Sequence, residues 1–252
     1  MTQWGKKNVV DFYSLNRNKL KDLYDSEKKP LSKIIKKKVT SVVDYGCAVG
    51  GFYEILSSFF KKKILYHGLD TENNVIIAAK KKYKNKKNIK FSTIKKGKLK
   101  LRNDCTSLSF CTGVLNHNND YKLIINELLR VSSKYSFIDS PRVHLGKEFI
   151  GKLNLTKRFP SEILKNNIVN NYTINLKNYL IFLKKVFHKN KIKKVHFFYS
   201  NLPYKKKYLK INKKISFLTF LCIKDKNFNK KISYTLLSKN TKIQKLFNQI
   251  FG

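Results

Sequence analysis

The sequence predicts an α/β fold: an open, mostly parallel sheet with flanking helices and an antiparallel last strand. Three observations carry this expectation. Short runs of β-branched and aromatic residues alternate with stripes of helical period over residues 39–139. The first of those runs is apolar on both faces, as an interior parallel strand is. Each run is separated from the next by enough chain for a crossover, which parallel neighbours require.

Taken in order, residues 16–38 read as helix, with Leu20, Leu23 and Tyr24 on one stripe and, after a break at Pro30, Leu31, Ile34 and Ile35. Val39 to Asp44 is the first strand, ending in the small-residue turn that runs to Gly51. Phe52, Ile55, Leu56, Phe59 and Phe60 follow at helical spacing. Ile64 to Leu69 is the second strand and closes on Asp70; Val75, Ile76, Ala79 and Tyr83 mark the next helix. Ile89 to Ile94 and Thr106 to Thr112 are strands three and four, Tyr121 to Val131 is helix, and Tyr135 to Asp139 is a fifth strand stopped at Ser140-Pro141. Residues 140–172, punctuated by Gly146, Gly151 and Pro160, read as a loop or lid above the strand ends. Tyr179 to Phe187 is helical, and Val195 to Tyr199 pairs with Ile215 to Ile223 as a hairpin. The tail from Ile232 carries Leu236, Leu237, Ile243, Leu246, Phe247 and Ile250 as a helical stripe. The expected division is a helical segment over 1–38 that caps the site, a main domain over 39–225 with the 140–172 insertion, and a helical tail over 226–252.

At 252 residues, 42% hydrophobic and 13% aromatic, the chain has the means to bury one large core. Lysine or asparagine interrupts nearly every apolar run of membrane-span length, and the amino terminus shows no secretory pattern, so a cytoplasmic location is expected. Cys47, Cys105, Cys111 and Cys222 lack paired zinc-ligand spacing and read as buried free thiols, with no metal site. The net charge of +40 is the feature that suggests a polyanionic partner. Only five of the 55 basic residues are arginine, however, and the lysines are spread together with abundant asparagine. Phosphate-reading surfaces recruit arginine and cluster it, so the pattern reads as coding bias towards A and T, and RNA is a possible but not favoured partner.

The chemistry is concentrated in Asp44-x-Gly46-x-Ala48-x-Gly50 directly after the first strand. The glycines permit a tight turn and a close backbone approach, and donors there with the following helix terminus hold an anionic group. A carboxylate at Asp44 repels a pyrophosphate but binds an ammonium or orders the loop. Asp70 ends strand two, where it can accept from both ribose hydroxyls; nicotinamide dinucleotides use the same contact, and helix capping is the plain structural alternative.

With these residues in place, the chain resembles the class I S-adenosylmethionine-dependent methyltransferases, in their small-molecule branch, over roughly residues 22–140. The resemblance implies a Rossmann-like sheet and S-adenosyl-L-methionine as cofactor. It implies that Asp44, Gly46, Cys47, Ala48 and Gly50 surround the methionine part and that Asp70 holds the ribose. Cys111 to His117 resembles the fourth-strand motif, in which Thr112 and Gly113 line the cofactor and Asn116 borders the substrate. Tyr24, in Tyr24-Asp25-Ser26-Glu27, is similar to an amino-terminal element that closes over the cofactor. The sequence departs from the family at Lys95-Lys96-Gly97, where an acid often meets the adenine; backbone groups or Asn103 are the substitutes.

Methyl transfer from a sulfonium needs an aligned acceptor and, for an amine or hydroxyl, a base. His117 is the expected base and Asp139 its partner or the residue that orients substrate. Arg142, His144 and Arg158 follow in the insertion and suit a phosphate or carboxylate on the acceptor. The expected activity is methylation of an O or N atom of a small molecule, such as a sugar or surface-polymer precursor. The competing readings are an RNA methyltransferase and a non-catalytic adenosyl-binding or scaffold protein.

Overall fold

A computed structural model describes residues 3–95, 97–154, 168–201, 215–225 and 227–252. Strands β1 (Ser41–Tyr45), β2 (Leu65–Asp70), β3 (Ile89–Thr93), β4 (Thr106–Cys111) and β5 (Ser132–Asp139) alternate with helices α3 (Gly51–Phe60), α4 (Asn73–Lys82) and α5 (Tyr121–Val131). Pairing gives the order β3-β2-β1-β4-β5, all parallel. β10 (Ser216–Lys224) adds to β5 antiparallel, β9 (Ile192–Asn201) adds to β10 antiparallel, and β11 (Ser233–Leu237) closes that edge parallel to β9. The expected mixed sheet, hairpin included, is therefore present. Among the described residues, no helix is long and apolar enough to cross a membrane.

Alternating side chains on the strands feed two cores, because successive residues point to opposite faces. On one face Val42, Leu108, Phe110, Phe137 and Leu221 pack with α3, α4 and α2 (Asp25–Leu31). Phe110 stacks on Phe137 across β4 and β5 at 4.7 Å between ring centroids. On the other face Val43, Cys111, Ile138 and Phe220 pack with α5, α6 (Leu176–Lys189) and α7 (Thr241–Phe251).

Four readings are corrected. A helix not expected from the sequence, α1 (Lys7–Leu15), precedes the region read as one helix over 16–38, and that region is a 3-10 turn (Leu20–Asp22) followed by α2, which carries Pro30 in its last turn. The described part of 140–172 contains strands: β6 (Arg142–His144), β7 (Phe149–Asn154) and the start of β8 (Ile168–Asn175). β8 runs parallel to β6 and antiparallel to β7, and Val143 of β6 pairs with Ser216 of β10. Leu236 and Leu237, read as the start of a helix, lie in β11. Cys105 is exposed, whereas the other three cysteines are buried.

Candidate active site

The chain order of strands reverses between β1 and β4, and a crevice opens above the carboxyl ends there. It is a cavity of about 990 Å³. Its floor follows the strand order: Asp70 and Thr71 after β2, Tyr45 to Val49 after β1, Thr112 to Val114 after β4, Asp139 at the end of β5, and Phe217 on β10.

The β1 turn is built from left-handed residues. Gly46, Ala48 and Gly50 have φ of +74°, +48° and +80°. A Cβ on Gly46 would lie 2.3 Å from Cγ2 of Val114, so no side chain fits. Ala48 tolerates its conformation because its N–H donates to Asp70 Oδ2 at 3.1 Å. Asp70 Oδ1 accepts from Glu72 N–H at 3.0 Å. Backbone donors thus fix both oxygens of the carboxylate at the cavity floor. Burial raises the Asp70 carboxyl above its ordinary value, and the N–H groups of Glu72, Ala48 and Thr71 oppose the rise.

Asp44 is different. It is buried, accepts from the Tyr66 hydroxyl behind the turn and does not reach the cavity wall. Burial raises its carboxyl to about 7, with Asp70 adding to the effect and the Tyr66 hydroxyl opposing it. An ordering role for Asp44 agrees with this geometry; direct contact with a cofactor ammonium does not. Gly50 also lies off the wall, where its carbonyl accepts from Tyr83 Oη at 3.1 Å.

The amino-terminal segment roofs the cavity. Gly5 O accepts from Asn74 on α4 at 3.3 Å, and the Trp4 ring meets the His117 ring at 4.9 Å between centroids. Val9, Val10, Tyr13, Asn16 and Arg17 continue the roof. Arg17 donates to Glu27 Oε1 at 2.5 Å and to Asp22 O at 2.6 Å, with its guanidinium 4.3 Å over the Tyr24 ring. Glu27 Oε1 also accepts from the Thr112 hydroxyl at 2.7 Å, and Oε2 from Tyr24 N–H at 2.8 Å. One buried carboxylate thereby ties the α1–α2 link, α2 and the β4 exit together. Burial alone would lower the Arg17 guanidinium; Glu27 reverses this and raises it. Sequence reasoning singled out Tyr24 and missed Trp4, Arg17 and Glu27. The available signal was the scarcity of arginine, since Arg17, like Arg130 with Glu127, stands where a planar fork is used.

At the other end, Asp139 Oδ2 lies 3.4 Å from Gly113 N–H and 3.9 Å from Arg142 Nη1, and Oδ1 accepts from Thr219 Oγ1 at 3.3 Å. Burial raises the Asp139 carboxyl, Arg142 pulls against that, and Glu27 adds to it. Both ring nitrogens of His117 are engaged. The Asn116 amide donates to Nε2 at 2.8 Å, which leaves Nδ1–H to donate to Asn170 O at 2.6 Å. Asn116 is buried behind His117 and also donates to Asn171 Oδ1 at 3.1 Å. His144 closes its own turn, with Gly146 N–H donating to Nδ1 at 3.2 Å and Nε2 turned to Lys147 O. Asn116 and His144 are therefore not on the cavity wall, while Arg142, His117 and Asp139 are. Arg158 lies outside the described residues. Asn103, held by Arg130 at 2.8 Å, does not line the cavity.

The family whose model matches this sequence is described as a methyltransferase domain and covers residues 36–214. Among curated proteins, none matches the sequence significantly. Solved structures share the fold at low identity. A chain of the complex formed by the Haloferax volcanii Trm112 methyltransferase activator is 13% identical, with 88% of this chain and 96% of that one covered and a TM-score of 0.55. The YcgJ protein of Bacillus subtilis is 13% identical over 80% of this chain and 100% of its own, with a TM-score of 0.52. Phosphoethanolamine N-methyltransferase 2 of Haemonchus contortus, solved with S-adenosyl-L-methionine, is 12% identical over 79% of this chain and 53% of its own, with a TM-score of 0.51.

Proposed function

The chain belongs to the methyltransferase-domain family and is an S-adenosylmethionine-dependent methyltransferase, and on that premise we propose that it methylates an oxygen or nitrogen of a small molecule held inside the roofed cavity. The observation that carries this reading is the roof itself. With Trp4 on His117 and Gly5 tied to α4, the amino-terminal segment covers part of the space above the strand ends. Its volume of about 990 Å³ suits a cofactor and a small acceptor together.

The residues fit the cofactor. The Asp70 carboxylate, fixed on the cavity floor, suits the ribose hydroxyls. Val9, Val10 and Val75 give the neighbouring wall an apolar surface for a purine, with no acid needed at the 95–97 position. The turn from Gly46 to Val49 and the fork of Arg17 suit the amino-acid part. Bound there, S-adenosylmethionine supplies an electrophilic methyl group on a sulfonium. Gly113 has φ of +69° and nothing within 4 Å of the place a Cβ would take, so its backbone faces open space between the two ends.

Asp139 is the proton acceptor in this reading. Its burial makes it a stronger base than an exposed aspartate, and it sits on the wall where an acceptor N–H or O–H would meet it. His117, with both nitrogens committed, is a positioning residue that supports Trp4 and Asn170. The test is a labelled-methyl assay run in parallel on small amines and alcohols and on total RNA. Label in the small-molecule fraction is the expected outcome, and label confined to RNA overturns the reading.

A further inference from the structure

We propose that the amino-terminal end of the sheet, opposite the cavity, docks on an anionic lipid surface through the lysines of three adjacent loops and two exposed aliphatic side chains among them.

β3, β2 and β1 are neighbours and parallel, so the loops that enter them lie side by side at the end of the sheet away from the cavity. The strands they enter are about 4.8 Å apart. Lys36 and Lys38 precede β1, Lys61 and Lys63 precede β2, and Lys84, Lys86 and Lys87 precede β3; all seven are exposed. Lys134, exposed at the start of β5, donates to Lys38 O at 3.4 Å and carries the row further. None of these lysines is in an ion pair among the described residues.

Uniform enrichment in lysine does not produce this pattern. Residues 28–43, 55–69 and 73–103, which contain the three loops, hold no aspartate or glutamate. The acids that border them belong to the other end of the sheet. Glu27 and Asp70 line the cavity, Asp44 lies behind its turn, Glu54 is in the first turn of α3 and Glu72 is the N-cap of α4. Nearer β4, Asp104 and the buried Glu127 are matched by Lys224 at 2.6 Å and Arg130 at 2.7 Å. Cations favour helix carboxyl ends, but that effect fades within the last turn. Lys63, Lys86 and Lys87 lie beyond it, since α3 ends at Phe60 and α4 at Lys82.

The uncharged side chains of this end decide between polyanions. Leu65, the first residue of β2, is 64% exposed, and Ile35, next to Lys36, is 46% exposed. Leu65 N–H donates to Thr40 O at 3.0 Å, which joins the β1 and β2 loops. Nucleic acid is held by open aromatic faces and by arginine forks. Here the seven cations are lysines, and nearby rings already carry one each: Phe59 has Lys36 at 4.4 Å and Tyr53 has Lys86 at 5.3 Å. Exposed leucine and isoleucine amid lysine suit the headgroup region of an anionic bilayer. Each lysine near such a surface raises affinity about fivefold. The cavity then faces the aqueous side.

The full-length protein is sedimented with vesicles of phosphatidylcholine and with vesicles of phosphatidylcholine mixed equally with phosphatidylglycerol, and is titrated separately with a single-stranded RNA oligonucleotide. Binding to the anionic vesicles alone is expected. Lys61→Gln, Lys63→Gln and Lys84→Gln together are expected to weaken it at least about tenfold. Lys239→Gln, Lys242→Gln and Lys245→Gln, exposed beyond β11, remove the same charge and are expected to change it less than about threefold. Leu65→Ser leaves the net charge alone and is expected to weaken binding about threefold. Thermal unfolding identifies the variants that fold, and the outcome is read from those. Equal losses in the two triple variants, binding without regard to lipid charge, or no binding to either vesicle overturns the proposal. RNA that binds more tightly than the anionic vesicles, and loses affinity only in the Lys61 triple, makes this a nucleic-acid surface and overturns it as well.

Discussion

At the β1–β2 end of the cavity, shape is set by backbone. Gly46 and Ala48 hold left-handed conformations, Leu69 O accepts from Gly46 N–H at 2.7 Å, and Asp70 is fixed by the N–H groups of Ala48 and Glu72. At the β5–β10 end, shape is set by side chains from distant segments: Asp139 with Thr219, Arg142 with Phe217, His117 with Trp4 and Asn170. A cofactor shared by many enzymes is served by local, short-range construction. An acceptor particular to one enzyme is served by long-range contacts that are free to vary.

The sharpest way to break this contrast is Gly46→Ala. A φ of +74° and a Cβ 2.3 Å from Val114 make the change costly, about 2–4 kcal/mol. Loss of S-adenosylhomocysteine binding by calorimetry is expected, and unchanged binding would detach the turn from the cofactor. Glu27→Ala comes next. It strands Arg17 in a buried position, and chemical denaturation should show a loss of about 3 kcal/mol, together with weaker S-adenosylhomocysteine binding. Intact binding would make the Arg17–Glu27 pair a purely structural strap.

Asp70→Asn and Asp44→Asn separate the two acids of the motif. The first should cost S-adenosylhomocysteine about tenfold or more in affinity, and the second less than about threefold. The reverse order would restore the ammonium contact expected for Asp44. The smallest effect is a pH dependence of stability. The unfolded chain ionises Asp44 near its ordinary 3.8, whereas the folded chain holds that proton to about 7. The Asp44 contribution therefore falls as pH rises from about 4 to about 7 and is level above that. Thermal unfolding across this range should show a decline that Asp44→Asn flattens, and Tyr66→Phe should extend the decline upward because it removes the opposing hydroxyl.

The same contrast governs what the sequence made legible. β1 and β4 are short runs buried on both faces, and the turn after β1 is contiguous, so both were readable. α1 was missed because only Val9 and Phe12 of its nine residues are buried, too few for a helical period to stand out. β6 holds Arg142 and His144 in three residues, and β8 buries Asn171 and Thr173, so neither shows hydrophobic alternation. β11 is five residues long and its leucines ran into the stripe of α7. Arg142 and Asp139 were nominated from their place after a strand. Glu27, Trp4 and Phe217 were beyond reach because each meets the cavity through a partner far away in sequence.

The most direct test of the central claim is a crystal structure of the full-length protein with S-adenosylhomocysteine. The ribose hydroxyls are expected on Asp70, the amino-acid part at the Gly46–Val49 turn and Arg17, and the sulfur facing Gly113 with Asp139 beyond it. An adenosyl group seated at the Asp139 end of the cavity, away from Asp70, would contradict the account.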